Sequence, residues 1–197
     1  MVQLLIVANV VVFLAELFAG DALIRAFALW PPAASAGDMQ GVFMPWQPLT
    51  YAFLHANGAH LALNMLGLYM FGRDVERTFG ALRTWLLYTA SILSAAFAQI
   101  ICTALGILPS APVIGASGGV FGLLLAYCVL FPNRTIVPLI PPIPMPAWLL
   151  ATLYAIVELG LGVSRTQGNV AHFAHLGGMA GSGLLLWRWL RTTARET

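Results

Sequence analysis

The chain has 197 residues, 60% of them hydrophobic and only 8% charged, with nine basic against seven acidic side chains. Soluble domains carry about 25% charged residues, and a soluble globule of this size lacks the polar cover to hide so much apolar side chain. That composition excludes a water-soluble α/β enzyme, a nucleic-acid binder and a disordered tail. It implies an integral membrane protein.

A membrane-spanning helix needs roughly 17–25 mainly apolar residues. In chain order the sequence supplies six such stretches, near 2–19, 50–71, 81–106, 115–131, 147–163 and 170–190. The opening Met-Val-Gln-Leu-Leu has neither a positive leader nor a small-residue cleavage site, so it reads as the start of a retained helix. Between the first two spans, residues 20–49 hold Trp30, Pro31, Pro32, Trp46 and Pro48. This loop is too apolar for a linker and is expected to lie in the membrane interface, its tryptophans at headgroup level. Span two is interrupted by His55, His60 and Asn64, and spans one and five contain Glu16 and Glu158. From Pro138 to Pro146 five prolines exclude a helix and predict an extended spacer. Cys102 and Cys128 lie in apolar runs without metal-ligand spacing and read as packing residues. The expected fold is all-α: one domain over 1–197, a compact bundle of six transmembrane helices with a long interfacial first loop.

All nine basic residues are arginines, and none forms a polybasic block. With the N-terminus inside, the cytoplasmic segments hold Arg73, Arg77, Arg83, Arg134, Arg188, Arg191 and Arg195, and the outer side only Arg25 and Arg165. This bias predicts that both termini are cytoplasmic.

Polar residues inside a bilayer are costly, so their depth is informative. Spans two, four and six all start outside. They therefore bring His55, His60 and Asn64, then Ser117, then His172 and His175, to a similar outer depth. His60 and Asn64, four apart, share a helical face that continues through Gly67 and Phe71. Gly115-Ala116-Ser117-Gly118-Gly119, followed by Gly122, allows a neighbouring backbone to come close. In span six, His175, Gly178 and Ser182 share one face, and Gly177-x-x-x-Gly181 forms a second small stripe; span four is the expected partner. A serine hydroxyl becomes a nucleophile when a histidine takes its proton. Free N–H groups at the start of span four, with His60 and Asn64 as side-chain donors, could hold the resulting oxyanion. Asp21 and Asp38 fall in the loop, and Glu158 is a weak candidate for a third member, so the residues favour a Ser–His dyad over a triad. Gly115-x-Ser117-x-Gly119 also fits the elbow of α/β-hydrolases, but no strand precedes it. A haem or metal site finds no acidic or cysteine ligand beside His172 and His175.

At this point the chain resembles the rhomboid intramembrane serine proteases, by motif and by order over nearly the whole six-span core. The family's Gly-x-Ser-Gly appears as Gly115-Ala116-Ser117-Gly118, its His-x-x-x-Asn as His60 to Asn64, and its last-span Ala-His with following glycines as Ala174-His175-Leu176-Gly177-Gly178. The resemblance implies Ser117 as nucleophile, His175 as base, and an oxyanion hole of His60, Asn64 and the Ser117 amide. It further implies that Phe121 packs on the imidazole, that His172 neighbours the base and that His55 is structural. Single-span membrane proteins are the implied substrates, cleaved without cofactor or metal at a site open to the outer side of a prokaryotic plasma (inner) membrane. With no seventh span or soluble extension, the chain looks like a minimal prokaryotic type. The family's Trp-Arg in the first loop is here Trp46-Gln47, which puts that loop's arginine contacts in doubt. Two competing readings stay open: a catalytically silent rhomboid-like binding or quality-control protein, and, more weakly, a transporter or haem protein.

Overall fold

Apolar runs of leucine, valine and alanine, broken by few helix-stopping residues, make the protein a bundle of helices. The computed structural model describes residues 1–31, 41–139, 141–164 and 171–193; Pro32, Asp38, Ile140, Arg165, Arg195 and the first residue of the sixth expected span lie outside them. Helix α1 spans Val2–Phe27, with non-helical backbone at Ala19. It buries only Val2, Leu5 and Asn9, while Leu4, Val7, Val11, Leu14 and Phe18 face outward, Phe18 at 91% exposure. Such an apolar belt is stable only against lipid or a partner.

The expectation of a loop from residue 20 needs correction. Residues 20–27 continue α1, with Asp21 on the helix, because no proline occurs before Pro31. Trp30 is not exposed but packed inside the protein: it is 7% exposed, its Nε1 donating to the Ile24 carbonyl at 3.2 Å. Trp46 does face outward, and its Nε1 donates to the Ala26 carbonyl at 2.9 Å. Gln47, fully buried, accepts from Trp30 N–H at 3.2 Å and donates to the Val42 carbonyl at 3.0 Å. A neutral amide thus ties this loop where the resemblance led one to look for an arginine.

A short α2 (Gln47–Thr50) and a 3₁₀ turn (Tyr51–Phe53) lead into α3 (Gly58–Gly67). A π-helical turn, Leu68–Gly72, joins α3 to α4, Arg73–Ala104. The connection between the second and third expected spans is therefore helical, and its one break is at Gly80, whose φ of +79° suits glycine. Next come α5 (Ser117–Leu130), a two-residue antiparallel pair of β1 (Thr135–Ile136) with β2 (Met145–Pro146), α6 (Ala147–Ser164) and α7 (His172–Thr193). The proline-rich segment is indeed not helical, but it closes as a hairpin rather than running as a spacer. Amides at the start of α6 are satisfied from the loop after α5: Ala147 N–H donates to Arg134 O at 3.0 Å and Trp148 N–H to Pro132 O at 3.1 Å. Three helical stretches among the described residues are long and apolar enough to cross a membrane, Val2–Phe27, Gly58–Ala104 and Ala147–Ser164, and Ser117–Leu130 is a shorter apolar helix.

The core lies where α4, α5 and α7 meet. Glycine makes the close approach possible. A Cβ on Gly178 would run into the Gly118 backbone of α5. The other stripe of α7 meets α4 instead: a Cβ on Gly177 would lie 2.6 Å from Ala98 Cβ, and one on Gly181 2.7 Å from the Ala90 carbonyl. The two small faces of the last helix thus serve two partners, not α5 alone.

Candidate active site

Ser117 is the first residue of α5, and three backbone bonds fix the chain before it. Leu29 and Val113 exchange N–H···O bonds of 3.0 Å, and Gly115 N–H donates to the Tyr51 carbonyl at 2.9 Å. Tyr51 is itself anchored by its hydroxyl, which donates to the Ile92 carbonyl at 2.8 Å. Gly115 has φ +124°, a conformation open to glycine and strained for other residues.

His175, one turn into α7, places Nε2 2.8 Å from Ser117 Oγ. Its ring stacks on Phe121, with centroids 4.3 Å apart and planes 6° from parallel. Phe121, one turn after Ser117, in turn meets Tyr154 of α6 edge-on at 5.7 Å. The Phe121 face thereby limits how the imidazole can turn, and Tyr154 of α6 backs Phe121.

His60 reaches the same place from α3. Asn57 caps that helix, its Oδ1 accepting from His60 N–H at 2.9 Å. The His60 ring accepts at Nδ1 from Ala56 N–H at 3.3 Å, so its proton sits on Nε2. That Nε2 lies against the bare side of Gly115: a Cβ there would be 2.8 Å from Nε2 and 3.8 Å from Ser117 Oγ. Asn64 is buried and donates to the His60 carbonyl at 2.9 Å, leaving its second N–H to other acceptors. Ser117, His175, His60, Asn64, Phe121 and Tyr154 all line one cavity of about 890 Å³. His55 stays behind this wall, buried, its ring edge-on to His60 at 5.0 Å and its backbone N–H bonded to the Glu16 carboxylate at 3.1 Å. Gly118, beside Ser117, faces Ala95 and the Tyr51 hydroxyl with no room for a side chain.

Gly115 gives a direct test. Gly115→Ala is expected to cost about 1–3 kcal/mol in backbone strain and to push His60 aside. Gly160→Ala, with nothing within 4 Å of its would-be Cβ, should stay within about 0.5 kcal/mol of wild type. Thermal midpoints of the two variants in detergent check this, and equal midpoints would refute it.

Glu158 stands beside both histidines, nearer than its expected place as a weak candidate for a third member. Its Oε2 accepts from His172 Nδ1–H at 2.6 Å and lies 3.0 Å from His175 Nδ1, the latter off the axis of a well-formed hydrogen bond. Gly162, one turn further along α6, explains the approach: a Cβ there would sit 3.1 Å from the Phe173 ring and 3.2 Å from His172 Cβ. The bare glycine lets the end of α6 press on the start of α7 and carries Glu158 to the histidines. The sequence carries a signal for this: Glu158 precedes the C-terminal end of its expected span by little more than a turn, and His175 follows the N-terminal start of the next by a similar interval. The acidic neighbour thought to be missing from a metal set is also present, since ligand atoms of Glu158, His172 and His175 lie within 4.8 Å of one another. Among the described residues, these three are the group whose atoms lie close enough to hold a divalent cation.

Residues 42–192 match the model of the Rhomboid domain. The chain is 33% identical over 147 residues to Rhomboid protein 1, mitochondrial, of Saccharomyces cerevisiae, covering 74% of this chain and 41% of that protein. To RHOMBOID-like protein 4 of Arabidopsis thaliana it is 39% identical over 153 residues, 72% of this chain and 33% of the relative. To Rhomboid protease GluP of Bacillus subtilis it is 30% identical over 138 residues, 69% and 24% respectively. Each match spans less than half of the relative's length.

Proposed function

This chain belongs to the rhomboid family, and on that premise we propose that it is an intramembrane serine protease acting on single-span membrane proteins. The observation that carries the reading is the 2.8 Å approach of His175 Nε2 to Ser117 Oγ on the wall of a cavity. One of its relatives, Rhomboid protease GluP, bears the activity in its name.

In this reading Ser117 Oγ attacks the scissile carbonyl carbon while His175 Nε2 takes the hydroxyl proton. The carbonyl oxygen becomes an oxyanion held by the Ser117 amide at the start of α5, by His60 Nε2–H and by the free N–H of Asn64. The carbon–nitrogen bond breaks as His175 returns the proton to the departing amine. Water, deprotonated by the same histidine, then releases the acyl group and restores the Ser117 hydroxyl. No cofactor enters. A helical amide is shielded by its own hydrogen bond, so a substrate must unwind locally before attack.

The chain acts as one domain over 1–197 with six membrane crossings, two of them within Gly58–Ala104 on either side of Gly80. We take both termini to be cytoplasmic, in a plasma membrane; the orientation rests on the arginine bias, of which Arg77 and Arg134 lie together at one end, both paired with Asp74, at 3.0 and 2.6 Å. The catalytic cavity then opens to the outer side.

Wild type in detergent should become labelled by a fluorophosphonate probe and cleave a generic single-span substrate, and Ser117→Ala should do neither. A folded wild type inert in both assays would instead indicate a rhomboid-like binding protein.

A further inference from the structure

Given the protease reading above, we infer that Glu158 is a positioning residue for His175, fixing its proton on Nδ1 and leaving Nε2 bare toward Ser117. A neutral imidazole carries one proton on either nitrogen, and only the form with Nε2 unprotonated can accept from Ser117 Oγ. Nothing in the Ser117–His175 pair selects that form. Ser117 could as well accept from an Nε2–H, which would leave the serine inert.

The choice is made on the other side of the ring. Glu158 Oε2 stands 3.0 Å from His175 Nδ1, and a carboxylate oxygen accepts hydrogen bonds but donates none. It therefore favours the tautomer with the proton on Nδ1. The oxygen is in turn held by His172 Nδ1–H at 2.6 Å, so His172 tethers the carboxylate and Glu158 orients the base. Glu158 and both histidines are buried, where the attraction between charges is screened less than in water. When His175 takes the serine proton it becomes an imidazolium, and the carboxylate beside Nδ1 stabilises that charge. The 3.0 Å contact does not have hydrogen-bond geometry in the structure; catalytic hydrogen bonds are often poorly aligned in free enzymes and tighten once substrate is bound.

Two measurements test this. Glu158→Gln, nearly isosteric, should lower kcat at least about 10-fold and up to roughly 10⁴-fold, the loss seen when the carboxylate orienting a serine-activating histidine becomes an amide, with KM little changed and the thermal midpoint near that of wild type. Glu158→Asp should recover part of the loss, because it restores the charge on a shorter arm. A folded Glu158→Gln with kcat within about twofold of wild type would overturn the proposal. The second measurement needs no variant to be active. Imidazole nitrogen-15 shifts of wild type in a chelator, with His175 assigned by difference from His175→Ala, should show Nδ1 protonated and Nε2 bare. A predominantly Nε2-protonated His175 would overturn the proposal even if Glu158→Gln fails to fold. A wild type that neither labels nor cleaves counts against the protease reading, and the tautomer still decides the role of Glu158.

Discussion

Ser117→Ala and His175→Ala should each lower the cleavage rate by on the order of 10⁴-fold, and the double variant should fall no further. The reason is the single proton between Oγ and Nε2, 2.8 Å apart. Without the imidazole the hydroxyl stays a weak nucleophile, and without the hydroxyl the imidazole has nothing to deprotonate. Each group therefore has little chemical value alone. What survives in all three variants is binding and the oxyanion donors, which neither substitution touches. Single-turnover cleavage in detergent is the measurement. A double variant slower than both singles by a further large factor would mean that the two residues act independently, and the pair would lose its place in the mechanism.

The parts of this site that were legible in the sequence are those set by local rules. His60 and Asn64 are four residues apart on one helix, and Ser117 follows a glycine where a helix begins. His175 precedes a stripe of small residues. Helical periodicity and hydropathy suffice to bring all four to one depth. The place of Glu158 is not set by local rules: it depends on how closely α6 and α7 approach, where the bare Gly162 meets His172 and Phe173. Trp30 illustrates a different limit. Composition makes it an interfacial residue, but its indole donates to the Ile24 carbonyl, so it packs against the protein. The extension of α1 through Phe27 is not legible in the sequence because Gly20 and Asp21 resemble a helix end while the residues after them remain good helix formers. Pro138–Pro146 is non-helical in its described residues, as expected where proline removes backbone donors. Its closure into a hairpin depends on pairing with Thr135 and Ile136, a tertiary fact.

Gly178→Ala should remove nearly all activity from a protein that still folds. A Cβ on Gly178 would run into the Gly118 carbonyl oxygen, with the carbonyl carbon 2.8 Å and Cα 3.1 Å away. All three are backbone atoms, so no side chain can swing aside and the helices themselves must separate. Overpacking of this kind costs about 1–3 kcal/mol, which a bundle this extensively packed can absorb. The effect on chemistry is larger because Gly118 adjoins Ser117 and Gly178 lies one turn from His175. Parting α5 from α7 there draws Oγ away from Nε2, and a misplacement of about 1 Å is enough for roughly a 100-fold loss. The signature is a fall in the fluorophosphonate labelling rate out of proportion to the drop in thermal midpoint. Wild-type labelling by Gly178→Ala would show that the α5–α7 approach does not set the Ser117–His175 distance, and the glycine would then be a packing residue alone.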